Sequence, residues 1–258
     1  MQLQVRQVGF SYQNKSVLRE IDFQVEAGDF VSIVGPNGSG KSTLLRCMDG
    51  ILKPQSGCIL IDSQDIVAMG GTSLARRIAY VPQSEGRTFS ANVFETVFMG
   101  RKPYIAWSPG KRDLEKAAAV IEQLGLGELA LRDINQLSGG QRQKAFIGRA
   151  LAQDTPLILL DEPTANLDLK HQLEVLGLLK AQTRQGVTAI VAIHDLNLAA
   201  RYSDKIIMLH QGGIFAAGGT EVLNQENIER VYGVKTMILK EKERIIIIPE
   251  EVAGENVG

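Results

Sequence analysis

The chain has 258 residues, of which 44% are hydrophobic and 22% are charged, a composition typical of a globular protein. Its 28 basic and 29 acidic residues leave a net charge of −1, which argues against a broad basic surface for nucleic acid. No apolar run reaches the roughly 18–20 residues that cross a bilayer, and the N-terminus lacks a secretory pattern. We therefore expect a cytosolic domain with free thiols at Cys47 and Cys58.

Apolar alternation predicts strands in the first third of the chain, separated by turn residues at 13–15 and 27–29. A glycine-rich loop then leads into a helix over residues 42–48. The predicted strands are residues 3–8, 21–25, 30–34, 59–61 and 78–81.

Between about residue 85 and residue 152 the apolar residues fall at helical spacing, which predicts an inserted helical region. Its expected helices cover residues 88–99, 113–124 and 138–152. Gly148 lies inside the last helix, where glycine either costs up to about 1 kcal/mol or permits closer packing.

The last third of the chain returns to alternating strands and helices, which indicates an α/β fold. The uninterrupted apolar run at 157–160 is typical of a central parallel strand buried on both faces. The other predicted elements are a helix at 169–182, a strand at 188–193, a hairpin of 206–209 with 213–217, a helix at 221–231, and a terminal hairpin of 237–240 with 245–248. Residues 254–258 are predicted to be disordered.

Residues 35–43, GPNGSGKST, match the phosphate-binding pattern G-x-x-x-x-G-K-[ST] between a strand and a helix. Glycines let backbone N–H groups turn toward a phosphate, and the helix N-terminus adds positive potential. We expect Mg-ATP here, with Lys41 against the β- and γ-phosphates and Ser42 on Mg²⁺. The expected binding residues are Gly35, Pro36, Asn37, Gly38, Ser39, Gly40, Lys41, Ser42 and Thr43.

Two carboxylates follow the apolar strand in the segment 157–162, LILLDE. A strand end beside the phosphate-binding loop is where Mg²⁺ must be held, so Asp161 is the candidate ligand, through water. Glu162 is the candidate general base that polarises the attacking water.

A second anion site is predicted at residues 137–141, LSGGQ, which precede the helix after Ser138. One nucleotide cannot easily reach both sites if the helical region lies far from residues 35–43. The second site is therefore expected to close on the nucleotide of another copy of the chain, through Ser138, Gly139, Gly140 and Gln141.

Together these motifs resemble the ATP-binding subunits of ABC transporters over nearly the whole chain, and LSGGQ separates that family from other P-loop ATPases. The resemblance implies an α/β P-loop NTPase (RecA-like) core with an N-terminal antiparallel β subdomain and an inserted helical subdomain. The implied boundaries are 1–84 and 153–218 for the core, 85–152 for the helical subdomain and 219–258 for a short tail.

The resemblance also implies roles for four further residues. Tyr12 matches the residue that stacks on adenine, and Gln83 matches the glutamine that contacts Mg²⁺ and the attacking water. Asp168 matches the aspartate that crosses a dimer interface, and His194 matches the histidine that contacts the γ-phosphate. His171 and His210 match no family position and are expected to be structural or surface residues.

The implied assembly is a head-to-tail homodimer that binds two polytopic permease subunits at the cytoplasmic face of the cell membrane and is served indirectly by a substrate-binding protein. Residues 96–104 and 194–200 resemble the importer branch for iron–siderophores, haem and cobalamin, which has molybdate and tungstate relatives. Tyr104 and Trp107 are expected either at the docking surface or as caps on the helical core.

Two alternatives stay open at this point. A soluble ABC ATPase acting on nucleic acid or ribosomes is disfavoured by the near-neutral charge and the absence of a long heptad pattern in the insertion. A P-loop kinase or GTPase would leave LSGGQ unexplained, and the sequence has no N-K-x-D motif. The cargo is not determined by these residues.

Overall fold

A computed structural model describes residues 1–83, 90–165, 167–241 and 244–253. Its strands are β1 (Leu3–Tyr12), β2 (Lys15–Val25), β3 (Phe30–Val34), β4 (Ser56–Ile61), β5 (Gln64–Asp65), β6 (Ile78–Val81), β7 (Leu157–Asp161), β8 (Thr188–Ala192), β9 (Lys205–His210), β10 (Gly213–Gly218), β11 (Val234–Glu241) and β12 (Arg244–Val252). Its α-helices are α1 (Lys41–Met48), α2 (Gly71–Ala75), α3 (Val93–Phe98), α4 (Lys111–Gln123), α5 (Gly139–Ala152), α6 (Leu169–Thr183), α7 (Leu196–Tyr202) and α8 (Gln225–Tyr232). The predicted helix start at 88 and the predicted disorder of 254–258 lie outside the described residues.

The central sheet has the order β10-β9-β3-β8-β7-β6, with parallel pairing except between β9 and β10. Every residue of β7 is buried. Leu157 and Leu159 enter the core cluster on one face, whereas Ile158 and Leu160 enter the cluster on the other. A strand covered on both faces has no solvent side, which explains its continuous apolar run and confirms the prediction.

An antiparallel sheet, ordered β2-β1-β4-β5, forms the N-terminal layer. Alternate residues of β1, among them Leu3 and Val5, are fully buried. They share a cluster with Leu44 and Leu45 of α1 and with one face of the central sheet. The period-2 pattern of β1 therefore arises because one face of this sheet packs on the core.

Helices α3, α4 and α5 pack together in the inserted region and share a buried cluster with the other face of the central sheet. Helix α3 begins at Val93 because Asn92 caps it and forms a capping box with Glu95. A Cβ atom at Gly148 would lie 2.7 Å from Leu124 Cδ1 and 3.0 Å from Val97 Cγ2. Close packing among these helices is therefore the reason for glycine at this position. The domain boundaries expected from the sequence stay a prediction.

The C-terminal residues form α8 and an isolated antiparallel pair, β11 with β12, which is longer than the predicted hairpin. Sequence reasoning missed two short helices, α2 and α7. Helix α7 begins after Asp195, whose carboxylate accepts hydrogen bonds from the backbone N–H groups of Asn197 and Leu198. That aspartate is the local signal that could have located the helix. No helix among the described residues is long and apolar enough to span a membrane.

We expect Gly100→Ala to destabilise the protein, because Gly100 packs directly on the backbone of α5. A Cβ atom there would collide with the carbonyl oxygen of Arg149 and lie 3.1 Å from the amide nitrogen of Gln153. Backbone atoms of a packed helix cannot move aside cheaply, so the expected cost is about 1–3 kcal/mol. Thermal unfolding measures it as a fall in Tm of roughly 2–4 °C for each kcal/mol.

Gly71→Ala is the matched control, since no atom lies within 4 Å of a Cβ placed at Gly71. Its effect on the free energy of unfolding is expected to stay within about 0.5 kcal/mol. Equal Tm values for the two variants would contradict the close packing at Gly100.

Candidate nucleotide site

The phosphate-binding loop, residues 35–43, joins the end of β3 to the start of α1. Gly38 and Gly40 adopt left-handed backbone angles, with φ of 78° and 108°. A Cβ atom at Gly40 would lie 2.8 Å from Leu18 Cδ2, whereas the space around Gly38 is open. Gly40 therefore allows the loop to pack closely against β2, and Gly38 leaves an open approach to the loop.

Lys41 is 5% exposed, and its ammonium group donates hydrogen bonds to the carbonyl oxygens of Gly35 (2.8 Å) and Pro36 (3.1 Å). Burial lowers the pKa of Lys41, while the nearby charges of Glu162 and Asp161 act in the opposite direction. The lysine is thus held inside the loop, where it can turn toward an anion.

Asp161 lies at the end of β7 and is 1% exposed. Its carboxylate accepts hydrogen bonds from Ser42 Oγ at 2.9 Å and from the Tyr80 hydroxyl at 3.4 Å. Burial, together with the charge of Glu162, raises the pKa of Asp161 although the Ser42 bond opposes the shift. A buried carboxylate joined to the P-loop serine is a donor pair suited to Mg²⁺.

Two observations bear on whether these residues fit a phosphate-bound cation. The Ser39 hydroxyl is buried in the loop with no hydrogen-bond partner. Within the described ranges, no group of three or more His, Cys, Asp or Glu side chains is arranged to hold a metal ion. The oxygen groups beside the loop are the Ser42 hydroxyl and the Asp161 carboxylate, the kind of ligand that Mg²⁺ takes.

Glu162 contacts two other predicted catalytic residues, Gln83 and His194. Its side chain is only 12% exposed, and its two carboxylate oxygens bind different partners. Gln83 Nε2 donates to Oε2 at 2.5 Å, and His194 Nε2 contacts Oε1. Glu162 also has a φ of 51°, a conformation that is uncommon for residues other than glycine and costs energy. The carboxylate is therefore fixed from both sides.

These groups border a cleft of about 410 Å³. The cleft is lined by Val17, Asn37, Gly38, Gly40, Lys41, Ser42, Thr43, Gln83, Glu162 and His194. Tyr12 does not line it. Its ring is 44% exposed and packs edge-to-face on Phe10, with ring centroids 4.9 Å apart.

The LSGGQ residues lie at the start of α5 and are not among the residues that line this cleft. Ser138 caps the helix and Gln141 completes a capping box: Gln141 N donates to Ser138 Oγ at 3.3 Å, and Ser138 N donates to Gln141 Oε1 at 3.2 Å. Gly139 has open space at its Cβ position. The backbone at Ser138 and Gly139 is thus accessible to a ligand from outside the chain, whereas Gly140 is buried.

Sequence reasoning missed the position of His171. A Cβ atom at Gly140 would lie 2.6 Å from His171 Cδ2, so the imidazole lies against the LSGGQ backbone. His171 Nδ1 is also 2.7 Å from Asp168 Oδ1, and Asp168 caps α6 by accepting the His171 N–H. These bonds lower the pKa of Asp168, the backbone bond most strongly. The Asp-x-x-His spacing, an N-cap residue followed by N3, was the available signal.

A groove of about 730 Å³ lies between the helical region and the core, with Asp49, Leu74, Met99 and Pro103 among its lining residues. Burial raises the pKa of Asp49 to about 7. Tyr104 lies beside the groove. The guanidinium groups of Arg101 and Arg76 lie over its ring, 4.2 and 5.2 Å from the ring centroid. Trp107 is fully exposed, so it does not cap the helical core.

Comparison with known proteins agrees with this geometry. A family model for ABC transporters matches residues 18–165, more than half of the chain. MJ0089 of Methanocaldococcus jannaschii, an uncharacterised ABC transporter ATP-binding protein, is 49% identical over 96% of this chain and 98% of that protein. The petrobactin import ATP-binding protein FpuD of Bacillus anthracis is 39% identical over 88% of this chain and 85% of its own length.

Two solved structures extend the likeness to three dimensions. One is an inward-facing ABC transporter assigned provisionally to the metal-chelate type, with a TM-score of 0.84, 32% identity, and coverage of 96% of this chain and 97% of that one. The other is the dimeric structure of the bacterial ABC transporter cassette MJ0796, with a TM-score of 0.77, 30% identity, and coverage of 84% and 98%. The family and fold inferred from the motifs are confirmed: the chain belongs to the ABC transporter family and is one of its ATP-binding, ATP-hydrolysing subunits.

Proposed function

We propose that this chain powers the import of a metal chelate (an iron–siderophore, haem or cobalamin) or of a related oxyanion such as molybdate, through separate membrane subunits. ATP hydrolysis is supported by one observation above all: Gln83 and His194 hold the Glu162 carboxylate beside the P-loop. The importer part is supported by relatives such as FpuD, whose name specifies petrobactin import. Residues 96–104 and 194–200 resemble the same branch.

In this proposal the P-loop residues bind the phosphates of ATP through backbone N–H groups and Lys41. Ser42, Asp161 and Gln83 would hold Mg²⁺, which when bound neutralises charge on the phosphates. Glu162 accepts a proton from the attacking water, and its fixed carboxylate orients that water toward the γ-phosphate. His194 keeps the carboxylate in place and faces the γ-phosphate. Tyr12 is proposed to stack on adenine from its exposed position at the end of β1.

A second copy of the chain completes each nucleotide site in this proposal. The start of α5 is accessible but does not line the chain's own cleft, so Ser138 and the glycines after it would bind ATP held by the other copy. Asp168, exposed at the start of α6, would cross the same interface. The dimeric structure of the cassette MJ0796 supports the proposal that two copies of this chain associate.

The membrane subunits are proposed to dock at the groove between the helical region and the core, on the cytoplasmic face of the membrane. The exposed Trp107 and the half-buried Tyr104 suit such a surface because aromatic side chains supply large apolar contact area. A substrate-binding protein would deliver the cargo to those membrane subunits. No nucleic acid is expected among the partners.

Lys41→Ala is expected to weaken ATP binding itself, because Lys41 is the cation that the P-loop holds for the phosphates. Isothermal titration of nucleotide into the purified chain measures the change directly. Lys102→Ala, in the docking groove, serves as the control and is expected to bind ATP like the wild type. Wild-type affinity in Lys41→Ala would remove this lysine from its assigned role.

Glu162→Gln is expected to bind ATP normally but to lower turnover by roughly 10²–10⁴, the range for a positioned general base. The amide keeps the shape of the side chain and loses the group that accepts the proton. Steady-state hydrolysis by the assembled transporter gives turnover, and light scattering of the variant should show an ATP-bound dimer. Turnover within a few-fold of wild type would mean that another group acts as the base.

Ser138→Arg is expected to leave ATP binding to one chain intact while blocking hydrolysis, because the added side chain would obstruct the second copy's nucleotide. Calorimetry on the separate chain and turnover of the assembled transporter are the two measurements. Unchanged turnover would exclude the proposed cross-dimer site.

An affinity pull-down from detergent-solubilised host membranes tests the transporter proposal. Recovery of a polytopic membrane protein in equal amount is expected, and a Trp107→Ala bait should recover less of it. Recovery of ribosomes or nucleic acid without a membrane protein would favour the alternative, a soluble ABC ATPase.

A further inference from the structure

The C-terminal unit, defined here as α8 with the β11–β12 hairpin, packs behind the nucleotide site. Ile228 and Val231 of α8 and Ile247 of β12 share one buried cluster with Val34. Val34 is the last residue of β3 before the P-loop begins at Gly35. This unit therefore lies against the base of the P-loop as well as beside the loop that carries His194.

Asn197 joins the hairpin to the His194 loop, residues 193–195. Its Nδ2 donates to the carbonyl oxygen of Ile247 at 3.1 Å, and its Oδ1 accepts the N–H of Ile247 at 2.7 Å. One amide side chain thus satisfies both backbone groups of an edge-strand residue, as a neighbouring strand would. The backbone N–H of Asn197 in turn donates a hydrogen bond to Asp195 Oδ1 at 2.8 Å, which ties Asn197 to the His194 loop.

Leu196 and Ala199 of α7 also pack in the buried cluster that contains Ile247, whereas His194 and Asp195 border a cavity on the hairpin side. This cavity of about 350 Å³ separates the loop from the hairpin, and Thr236 and Pro249 also line it. The Thr236 hydroxyl faces no hydrogen-bond partner although the residue is only 4% exposed. The His194 side chain is itself 43% exposed. The direction of the His194 side chain therefore depends on its contact with Glu162 Oε1 and on how the loop is anchored.

We infer that Asn197 is a positioning residue for ATP hydrolysis, which anchors the His194 loop to the C-terminal hairpin so that His194 stays on Glu162. The inference rests on the proposed roles of those two residues. It makes the hairpin, which the sequence presented as a short tail, part of the support of the catalytic site. A side chain three residues from His194 can act in this way because small displacements of a catalytic group cost large factors in rate.

The test compares Asn197→Ala with Asn224→Ala in the assembled transporter. Asn224 caps α8 in the same C-terminal unit by accepting the N–H of Asn227, and none of its hydrogen bonds among the described residues reaches the His194 loop. Both variants should lose a few degrees of Tm, roughly 2–4 °C. Only Asn197→Ala should lower kcat, by about tenfold, with the KM for ATP changed by less than about twofold. Asn197→Asp, which keeps the acceptor for Ile247 N–H, should recover part of kcat.

Wild-type kcat in Asn197→Ala would overturn the inference, and so would an equal loss of kcat in Asn224→Ala. A second measurement does not depend on turnover: hydrogen exchange of the Asn197 and Leu198 amides in the separate chain. Exchange should be faster in Asn197→Ala than in Asn224→Ala, and equal rates would also overturn the inference. A wild-type transporter that hydrolyses no ATP would defeat the proposed function instead, while the exchange result would still decide whether Asn197 anchors the loop.

Discussion

The hydrogen bond from Ser42 to Asp161 joins the two segments on which the site depends, the P-loop after β3 and the acidic end of β7. A carboxylate that is 1% exposed is stable only if its oxygens are bound, and Ser42 and Tyr80 supply those bonds. The same contact holds α1, with Lys41 at its start, against the parallel sheet. Glu162, the next residue, is thereby presented to the cleft in its left-handed conformation.

The parallel sheet explains why residues distant in sequence meet at one place. Gln83 follows β6, Glu162 follows β7, His194 follows β8 and the P-loop follows β3. These four strands are parallel neighbours, so their carboxyl ends meet at the same edge of the sheet. Ligands of open α/β sheets bind at that edge, and the hydrogen bonds to Glu162 are its local consequence.

Two contacts show how elements outside the cleft reach it. The His171 ring joins Asp168 to the LSGGQ backbone, and Lys144 with Glu174 forms a second link between α5 and α6 at 2.6 Å. The segments that would face a second copy are thus fixed to each other within one chain. On the other side of the cleft, the Asn197 side chain links the His194 loop to the hairpin through two hydrogen bonds to Ile247.

The sequence by itself determined the P-loop, the acidic strand end, the helix start after Ser138 and the α/β class, because each depends on local pattern and spacing. It also predicted close packing at Gly148 as one of two readings, and the positions of Val97 and Leu124 show which one holds. The tertiary structure alone decided that Tyr12 lies outside the cleft lining, that Trp107 is exposed, that His171 packs on Gly140, and that Asn197 binds Ile247 of the C-terminal hairpin. These outcomes depend on which surfaces meet after folding, and contacts between residues far apart in the chain leave no periodic signal in a single sequence.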